Sequence, residues 1–586
     1  MKQFTGVLLK AMGLILVSSC GGGGGDDGGG SSTTAICYNC VGASGTMRLW
    51  CETLNSSAGC DSSSSSTGPA PPPNAIGTFS LLNPSVPGHA SNTGLFDVTV
   101  PAGTGVTALV AKFSLEGPPG ASVTVAGVPQ TSGVTANDFT GPVTYTVVPA
   151  SGATRTQVAT VTVAPPTNIW TWVSGSNAAN HAGVYGTQGV AATANAPGGR
   201  HEAVSWVDRS GQFWIFGGYG VDALGSSFHL NDLWRFDGAN WAWMGGSNTI
   251  NQPGIYGTKG TASPGNVPGA RVGAASWSDA NGALWVFGGF GVDAGGAYGY
   301  FNDLWKFDGV AWTWVSGSTT RNPVGVYGTK GVAAAGNIPE GRNGSSAWVG
   351  TAGDFWIFGG SSSRGILNDL WRFDGTNWTW VNGNNTVNTG TFYGTQGVPS
   401  SGPGARQKAA SWADKAGNLW LFGGSGYVQQ FFAGAGYVLQ GGELNDLWKF
   451  DGVNWIWVSG ANVPNDPGVP GTSGVAAAAN VPSARHGAVT WVDANAKTWL
   501  FGGGGITVSG GSRATGLSDL WNFDGTHWTR VGAANLPGSA GLYGARRLAI
   551  VAAPYARAGA VAGLQASGKV WLFGGGGFND LMVYEP

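Results

Sequence analysis

The feature that most constrains the fold of this 586-residue chain is a unit that recurs six times between residue 170 and the C-terminus. The full unit contains four short apolar runs, called a to d: an Arg-led run, then Trp-x-Phe-Gly-Gly, Asp-Leu-Trp-x-Phe and Trp-x-Trp. The last two units carry variants, with Arg530 in place of the second Trp of run d and Met582 in place of the Trp of run c. Such runs, separated by Gly, Asn and Asp, are typical of β-strands, and the Phe-Asp-Gly link between c and d is typical of a hairpin turn. The order predicts four antiparallel strands per unit, repeated around a closed ring.

The repeat can be followed through one marker residue of each strand. The runs a follow Arg200, Arg271, Arg342, Arg406, Arg485 and Arg557. The runs b begin at Trp214, Trp285, Trp356, Trp420, Trp499 and Trp571. The runs c contain Asp232, Asp303, Asp369, Asp446, Asp519 and Asp580. The runs d begin at Trp170, Trp241, Trp312, Trp378, Trp455 and Trp528. Because the tryptophans recur at fixed places in the unit, we expect most of them to be packing residues.

The two ends of the repeat are complementary. The run at Trp170 has no runs a to c before it, and the last unit stops after Tyr584 without a run d. We therefore expect residues 169–173 to pair with the last strand and complete the sixth unit. Such closure leaves no open sheet edge between the first and last units.

The double Gly after b, the Asp of c and the Trp of d resemble the kelch repeat. The resemblance implies an all-β fold, a six-bladed kelch-type β-propeller over residues 166–586. The composition is consistent with this, since only 10% of residues are charged and 105 are Gly, which excludes a helix-rich protein. The net charge of −2 offers no basic field, so we expect no nucleic-acid partner.

The N-terminal residues 1–19 have the pattern of a signal peptide, with Lys2 ahead of a short apolar run. The sequence Val-Ser-Ser-Cys that ends at Cys20 resembles a bacterial lipobox. The resemblance implies export, acylation of Cys20 and a lipid anchor in the outer membrane or at the cell surface, with no other membrane contact. The alternative is an ordinary secretory signal followed by a chance cysteine.

Residues 20–74 form a tether rich in Gly, Ser and Pro. It contains Cys37, Cys40, Cys51 and Cys60, which in an exported chain favour two disulfides, with a zinc site as the alternative. The disulfide pairing stays open.

Residues 75–165 contain alternating runs such as Phe96–Val100, 122–125 and 143–147, separated by turn residues. These runs predict a small β-sandwich that resembles the immunoglobulin-like domains of bacterial surface proteins. We interpret this module as a spacer or a weak adhesion module.

In the predicted ring, one face carries the starts of strands a together with the long b–c and d–a loops. The long b–c loop Ser425–Glu443 contains four aromatic binding candidates, namely Tyr427, Phe431, Phe432 and Tyr437. In kelch substrate adaptors, arginines at the start of strand a hold acidic groups. The resemblance therefore implies ligand binding by the six Arg residues named above. The alternative is that each Arg pairs with the Asp of strand c as part of the scaffold.

Residues that break the repeat are further site candidates. The second residue after the Arg is Gly in four units but Glu202 and Lys408 in the first and fourth, which would lie opposite each other across the ring. His201 and His486 directly follow their arginines. An enzyme alternative, resembling sialic-acid mutarotases or a lyase, would use Arg200, His201 and Glu202 and requires them to face one pocket.

Copper chemistry of the galactose oxidase type is excluded, because its cross-linked Tyr–Cys cofactor needs a cysteine and the chain has none after Cys60. We expect no metal and no cofactor. The sequence thus predicts a monomeric, lipid-anchored binding protein, rather than an enzyme, whose ligand is a glycan or a protein.

Overall fold

The chain in this computed structural model divides into two compact units, Met1–Thr167 and Asn168–Pro586. The structure describes residues 36–41, 47–53, 56–57, 75–90, 95–100, 104–116, 119–163, 169–507, 512–531, 541, 543, 546–547 and 554–585, with side chains left out for 36–57 and 89–90. The predicted leader, the lipidation site Cys20 and the side chains of the four cysteines predicted to form disulfides lie outside these described parts. Over the described ranges all regular structure is β-strand, and no helix is long and apolar enough to cross a membrane.

The first unit contains two sheets that share one hydrophobic core. The first sheet has the order Val128–Pro129, Ser122–Val125, Val143–Val148, Arg155–Val163, Leu95–Val100 and His89–Ala90. The second has the order Ala136–Asn137, Leu109–Glu116, Ala75–Leu82 and Ser85–Pro87. Residues alternate between exposed and buried along Leu95–Val100, as the sequence predicts. A separate backbone ladder joins Ile36–Val41, Met47–Thr53 and Ser56–Ser57.

The described residues of the second unit contain six sheets that each include four antiparallel strands in the order a, b, c and d, and two separate three-stranded sheets. Strands a are Val204–Val207, Ala275–Ser278, Ser346–Val349, Ala410–Ala413, Val489–Val492 and Val561–Leu564. Strands b are Phe213–Val221, Leu284–Phe287, Phe355–Ser362, Leu419–Phe432, Thr498–Phe501 and Val570–Phe573. Strands c are Ser227–Phe236, Leu304–Phe307, Ile366–Phe373, Gly436–Phe450, Leu520–Phe523 and Leu581–Glu585. Strands d are Trp241–Gly245, Trp312–Ser316, Trp378–Asn382, Trp455–Ser459, Trp528–Val531 and, in the sixth sheet, Ile169–Ser174.

Short extra strands lie at the end where strand a begins, except Pro399–Ser400, which pairs with the start of strand d at Trp455 and Ile456. Those that start with the repeated Arg are Arg200–His201, Arg271–Val272, Arg342–Asn343, Arg406–Gln407 and Arg485–His486. The others are Phe290–Val292, Tyr298–Tyr300, Pro399–Ser400, Gly504–Ile506 and Arg513–Ala514.

The six sheets are joined in a closed cycle. Strand a of each sheet contacts strand a of the next, and strand a of the sixth sheet contacts that of the first. The pairing of the chain ends is the one predicted from the sequence, because Ile169–Ser174 runs antiparallel to Leu581–Glu585 with Trp170 opposite Tyr584. The Trp170 ring is 5% exposed, and its centroid lies 4.9 Å from that of Tyr584. The last sheet therefore has no open edge on this side.

The hydrophobic core lies between neighbouring sheets. One cluster, for example, combines Trp206 and Leu233 of the first sheet with Leu284 and Trp305 of the second. The Trp305 side chain is fully buried, and its indole nitrogen donates a hydrogen bond to Asp303. The equivalent tryptophans of the other units, Trp234, Trp371, Trp448 and Trp521, likewise donate to the Asp two residues earlier, so each fills buried space while its indole N–H is satisfied.

Candidate functional site

The six repeated arginines lie inside the sheets. Each is only 1–2% exposed, and its guanidinium group makes two hydrogen bonds of 2.6–2.8 Å to the Asp of strand c in its own unit. The pairs are Arg200–Asp232, Arg271–Asp303, Arg342–Asp369, Arg406–Asp446, Arg485–Asp519 and Arg557–Asp580. This corrects the expectation that the arginines hold a ligand, because a guanidinium sealed in the sheet and already bound to a carboxylate cannot meet one.

The same carboxylates anchor the d–a loops. Tyr256, which begins a Tyr-Gly-Thr sequence in its d–a loop, donates a hydrogen bond of 2.7 Å to Asp303, which also accepts from Trp305 and Arg271. Equivalent bonds join Tyr185, Tyr327, Tyr393 and Tyr543 to the Asp of their units. The repeated Tyr is therefore a scaffold residue that supports the loop-bearing face, a role that the sequence pattern alone did not reveal.

The starts of strands a meet in a closed ring of backbone hydrogen bonds. Each of six residues donates its N–H to the carbonyl of the preceding member, with N···O distances of 2.7–3.0 Å. All six have φ between 53° and 68°, the left-handed region that favours Gly. The members are Glu202, Gly273, Gly344, Lys408, Gly487 and Gly559. Small residues of the six-sheet cycle, most of them in the strands labelled a, line a channel of about 240 Å³. The ring lies at one end of these strands.

Glu202 and Lys408, the two members of the ring that are not glycine, bond to each other across it. The Lys408 ammonium lies 2.6 Å from Glu202 Oε1, so the first and fourth sheets are joined over the opening of the channel. Burial opposes the ionisation of Glu202, but its interactions with His201 and Lys408 outweigh burial and lower the pKa of Glu202 to about 2. The opposition of these two residues that the repeat predicts is confirmed, and it caps the ring with a charge pair.

The two histidines after the repeated arginines have separate surroundings. His201 Nδ1 lies 3.8 Å from Glu202 Oε1, and its ring stacks on Tyr219 with centroids 5.2 Å apart. Arg200 is turned into the sheet, so Arg200, His201 and Glu202 do not face one pocket. The convergence that the enzyme alternative requires is therefore absent.

His486 belongs to a different cluster at the base of the fourth sheet's b–c hairpin. Its Nδ1 lies 2.9 Å from Glu443, which is 4% exposed, and Arg513 lies 3.2 Å from the other oxygen of that carboxylate. Glu443 is thus compensated from two sides, and the cluster ties the hairpin to the fifth sheet.

The fourth sheet carries the longest hairpin of the described chain, because its strands Leu419–Phe432 and Gly436–Phe450 pair as far as Phe432 and Gly436. At its end Phe431 is 66%, Phe432 41% and Tyr437 65% exposed, and Phe392 of the adjoining d–a loop is 48% exposed. We call Phe392, Phe431, Phe432 and Tyr437 the hairpin platform. Exposed aromatic rings grouped at a loop end make this surface the candidate binding site.

Three of the four platform rings form a row of contacts beside a cavity. Tyr437 lies between Phe431 and Phe392, at centroid distances of 5.5 Å and 5.4 Å. The cavity has a volume of about 310 Å³ and includes Gln429, Gln430 and Asn462 in its lining. Tyr427, the fourth aromatic residue of the predicted site, lies further down the hairpin and is half-buried. Of the residues predicted for binding, the structure brings Phe431 and Tyr437 together at this cavity, and Phe432 is exposed at the same hairpin end without lining it.

Over the described residues, no three His, Cys, Asp or Glu side chains come together as a metal site requires. A larger cavity, of about 660 Å³, lies between the first and second sheets, where Trp243 and Trp312 line it. Both tryptophans belong to the repeated strands d, so this cavity follows the packing of the repeat rather than a feature particular to one unit.

Two ranges of the chain match known protein families. Residues 259–382 match the family described as the KLHDC2/KLHL20/DRC7 Kelch-repeats domain. Residues 76–163 match the family described as SGBP, N-terminal. The first match lies within the repeated four-stranded sheets of the second unit, so residues 259–382 resemble kelch repeats, in keeping with a β-propeller.

Three solved structures resemble the chain at low identity. "Structure of YjhT" is 15% identical, covers 66% of this chain and 95% of its own, and has a TM-score of 0.38. A copper-bound fungal alcohol oxidase of the AA5 family is 12% identical, covers 76% and 68%, and has a TM-score of 0.33. A protein of unknown function from Dyadobacter fermentans DSM 18053 is 9% identical, covers 71% and 97%, and has a TM-score of 0.37. At these values the three structures say nothing about the ligand of this chain.

Proposed function

We propose that this chain is a monomeric, lipid-anchored bacterial surface protein whose six-bladed propeller binds a glycan at the hairpin platform. Cys20 carries the anchor, residues 20–74 form the tether, and the immunoglobulin-like module of residues 75–165 holds the propeller away from the membrane. The match of residues 76–163 to an SGBP N-terminal domain supports a role at the cell surface connected with glycans.

The observation that carries the proposal is the hairpin platform. Its aromatic rings are exposed although an isolated protein gains nothing by exposing them, and stacking on the apolar face of a sugar ring would cover them. The side-chain amides of Gln429, Gln430 and Asn462 at the same cavity supply the polar contacts that fix the orientation of a bound ligand. The hairpin has no counterpart of this length in the other five described sheets, as expected of a ligand site rather than of the scaffold.

The six repeated arginines do not contact the ligand, because each is paired with an Asp inside its sheet. The proposal also leaves Arg200, His201 and Glu202 without catalytic roles, because Arg200 is engaged by Asp232 inside the sheet. Binding without catalysis is therefore the function that the geometry supports best.

The test is a glycan and peptide array probed with the whole chain, made soluble by Cys20→Ser. The double variant Phe431→Ala/Tyr437→Ala should lose about tenfold or more in affinity for the glycans retained, since two exposed rings stop stacking. Tyr298→Ala is the matched control, because Tyr298 is also an exposed aromatic residue on a b–c hairpin, that of the second sheet. Equal glycan retention by the double variant, or no glycan retained by the parent chain, would reject the proposal.

The anchor is tested separately. Cys20→Ser should move the protein from the membrane fraction to the soluble fraction, because the acylated thiol is the proposed attachment. A protein that stays with the membrane after this change would contradict the lipid anchor without touching the binding site.

A further inference from the structure

We infer that the ligand of the hairpin platform is an uncharged glycan chain in a turned, soluble conformation, not an acidic glycan and not a crystalline surface. This inference rests on the proposed function and names the class of ligand. It replaces the acidic ligand that the arginine pattern implies, because the arginines are occupied inside the sheets.

The first argument is the absence of ionised groups from the platform. The two segments that build it, residues 383–405 and 419–442, contain no Asp, Glu, Lys, Arg or His. The nearest carboxylate along the hairpin is Glu443, which is buried and already paired with His486 and Arg513. Lys330 lines a separate cavity beside Phe392, where its ammonium donates to the carbonyl of Gly383. In the cavity of Gln429 and Gln430, a carboxylate or sulfate on a sugar would lose water without gaining a cation, which is unfavourable.

The second argument is the chemistry of the polar groups that are present. Gln429, Gln430 and Asn462 line the cavity, and none of these three side chains is hydrogen-bonded to another described residue. A side-chain amide offers both donors and an acceptor, and a sugar hydroxyl also donates and accepts. Three unoccupied amides beside aromatic rings therefore match a surface that presents many hydroxyls and no charge.

The third argument is the orientation of the rings. The plane of Tyr437 is inclined by 67° to that of Phe431 and by 69° to that of Phe392. A crystalline glycan presents sugar faces in one plane, and three rings inclined in this way cannot all lie flat against it. A chain whose successive sugars turn relative to each other can meet the inclined rings one after another. Because three rings are in consecutive contact, we expect more than one sugar to be bound.

The experiment compares soluble glucans (amylose, laminarin and mixed-linkage β-glucan) with their carboxymethylated forms and with microcrystalline cellulose. The ligand-binding protein is the whole chain with Cys20→Ser, and affinities are measured by calorimetry and by pull-down. We expect at least one neutral glucan to bind, its carboxymethylated form to bind about tenfold more weakly, and cellulose not to be retained. Raising the salt from about 50 to about 500 mM should change the neutral affinity less than about twofold, since no ion pair is formed.

A variant with an added positive charge tests the preference for the neutral over the carboxymethylated glucan directly. Gln430→Lys places a cation at the cavity and should reduce the preference for the neutral glucan by about threefold or more, because the carboxymethyl group then gains a partner. The control is Gln188→Lys, which adds the same charge at an exposed position in the loop before strand a of the first propeller sheet. This variant should leave the preference for the neutral glucan unchanged.

The outcomes separate the inference from the proposed function. Tighter binding of a carboxymethylated glucan than of its neutral form, or equal retention by cellulose, would overturn the inference while glycan binding stands. Failure of every glycan, neutral or charged, would overturn the proposed function itself. Retention of a peptide that depends on Tyr437, in place of any glycan, would identify a protein loop as the occupant and overturn both.

Discussion

Removing the charge of Glu202 tests whether the pair over the channel holds the propeller together. Glu202 and Lys408 belong to opposite sheets of the cycle, yet their charged atoms lie 2.6 Å apart. Both occupy backbone positions with φ near +54°, where the four other members of the ring are Gly. A left-handed conformation costs a residue other than glycine about 1 kcal/mol, so the ion pair must offset strain at two positions.

The size of the effect follows from the pKa of Glu202, which falls from 4.5 to about 2. Each pH unit of such a shift corresponds to about 1.4 kcal/mol, so the folded state favours the ionised carboxylate by roughly 3 kcal/mol. Since the folded pKa lies below the unfolded one, this stability is present above about pH 4.5 and is lost as the pH falls towards 2. Glu202→Gln should therefore destabilise the propeller by about 2 to 3 kcal/mol at neutral pH.

The assay is a double-mutant cycle of Glu202→Gln and Lys408→Met, followed by tryptophan fluorescence during urea unfolding. We expect the two losses to be non-additive, with a coupling energy of about 2 kcal/mol, because each change leaves the other charge unpaired. The charge exchange Glu202→Lys/Lys408→Glu should recover most of the loss, since the two backbone positions have the same conformation.

Two results would refute this reasoning. A coupling energy below about 0.5 kcal/mol would make the pair an ordinary surface ion pair. A difference between parent and Glu202→Gln that does not shrink below pH 4.5 would show that the carboxylate charge is not the cause.

Three further predictions concern the scaffold. Asp303→Asn should destabilise the propeller by about 3 to 5 kcal/mol in urea unfolding, because it leaves the buried Arg271 without its counter-charge, and a loss below about 1 kcal/mol would contradict the buried pair. Trp170→Ala should cost about 3 to 5 kcal/mol, since it removes a buried ring from the closing strand, and an unchanged unfolding midpoint would show that the closure contributes nothing. Gly273→Ala should lower the melting temperature by an amount equivalent to about 1 kcal/mol, because Gly273 has a positive φ in the backbone hydrogen-bond ring. Gly265→Ala, in an exposed d–a loop, is the control. An equal loss from both variants would show that membership of this ring does not affect stability.

Part of the candidate site could be predicted from the sequence because the relevant residues depart from a regular pattern. Phe431, Phe432 and Tyr437 stand in a b–c loop that is longer than the others, and the structure exposes all three at the hairpin end. Glu202 and Lys408 occupy positions where the other four units have Gly, and counting units was enough to place them opposite each other. Phe392 was missed, because it lies in a d–a loop far along the chain from the hairpin tip, and only packing brings it to Tyr437.

The sequence by itself determined the order of strands, the number of repeated units and the pairing of Trp170 with Tyr584, because these depend on local periodicity and on a strand missing from the last unit. Only the tertiary structure decided which way the arginines point. An Arg at the start of a strand can face solvent or a partner, and the choice depends on whether a carboxylate lies within reach on another strand. Here an Asp on strand c of the same sheet faces each guanidinium from inside the fold, so a pattern that suggested anion binding proved to be scaffold.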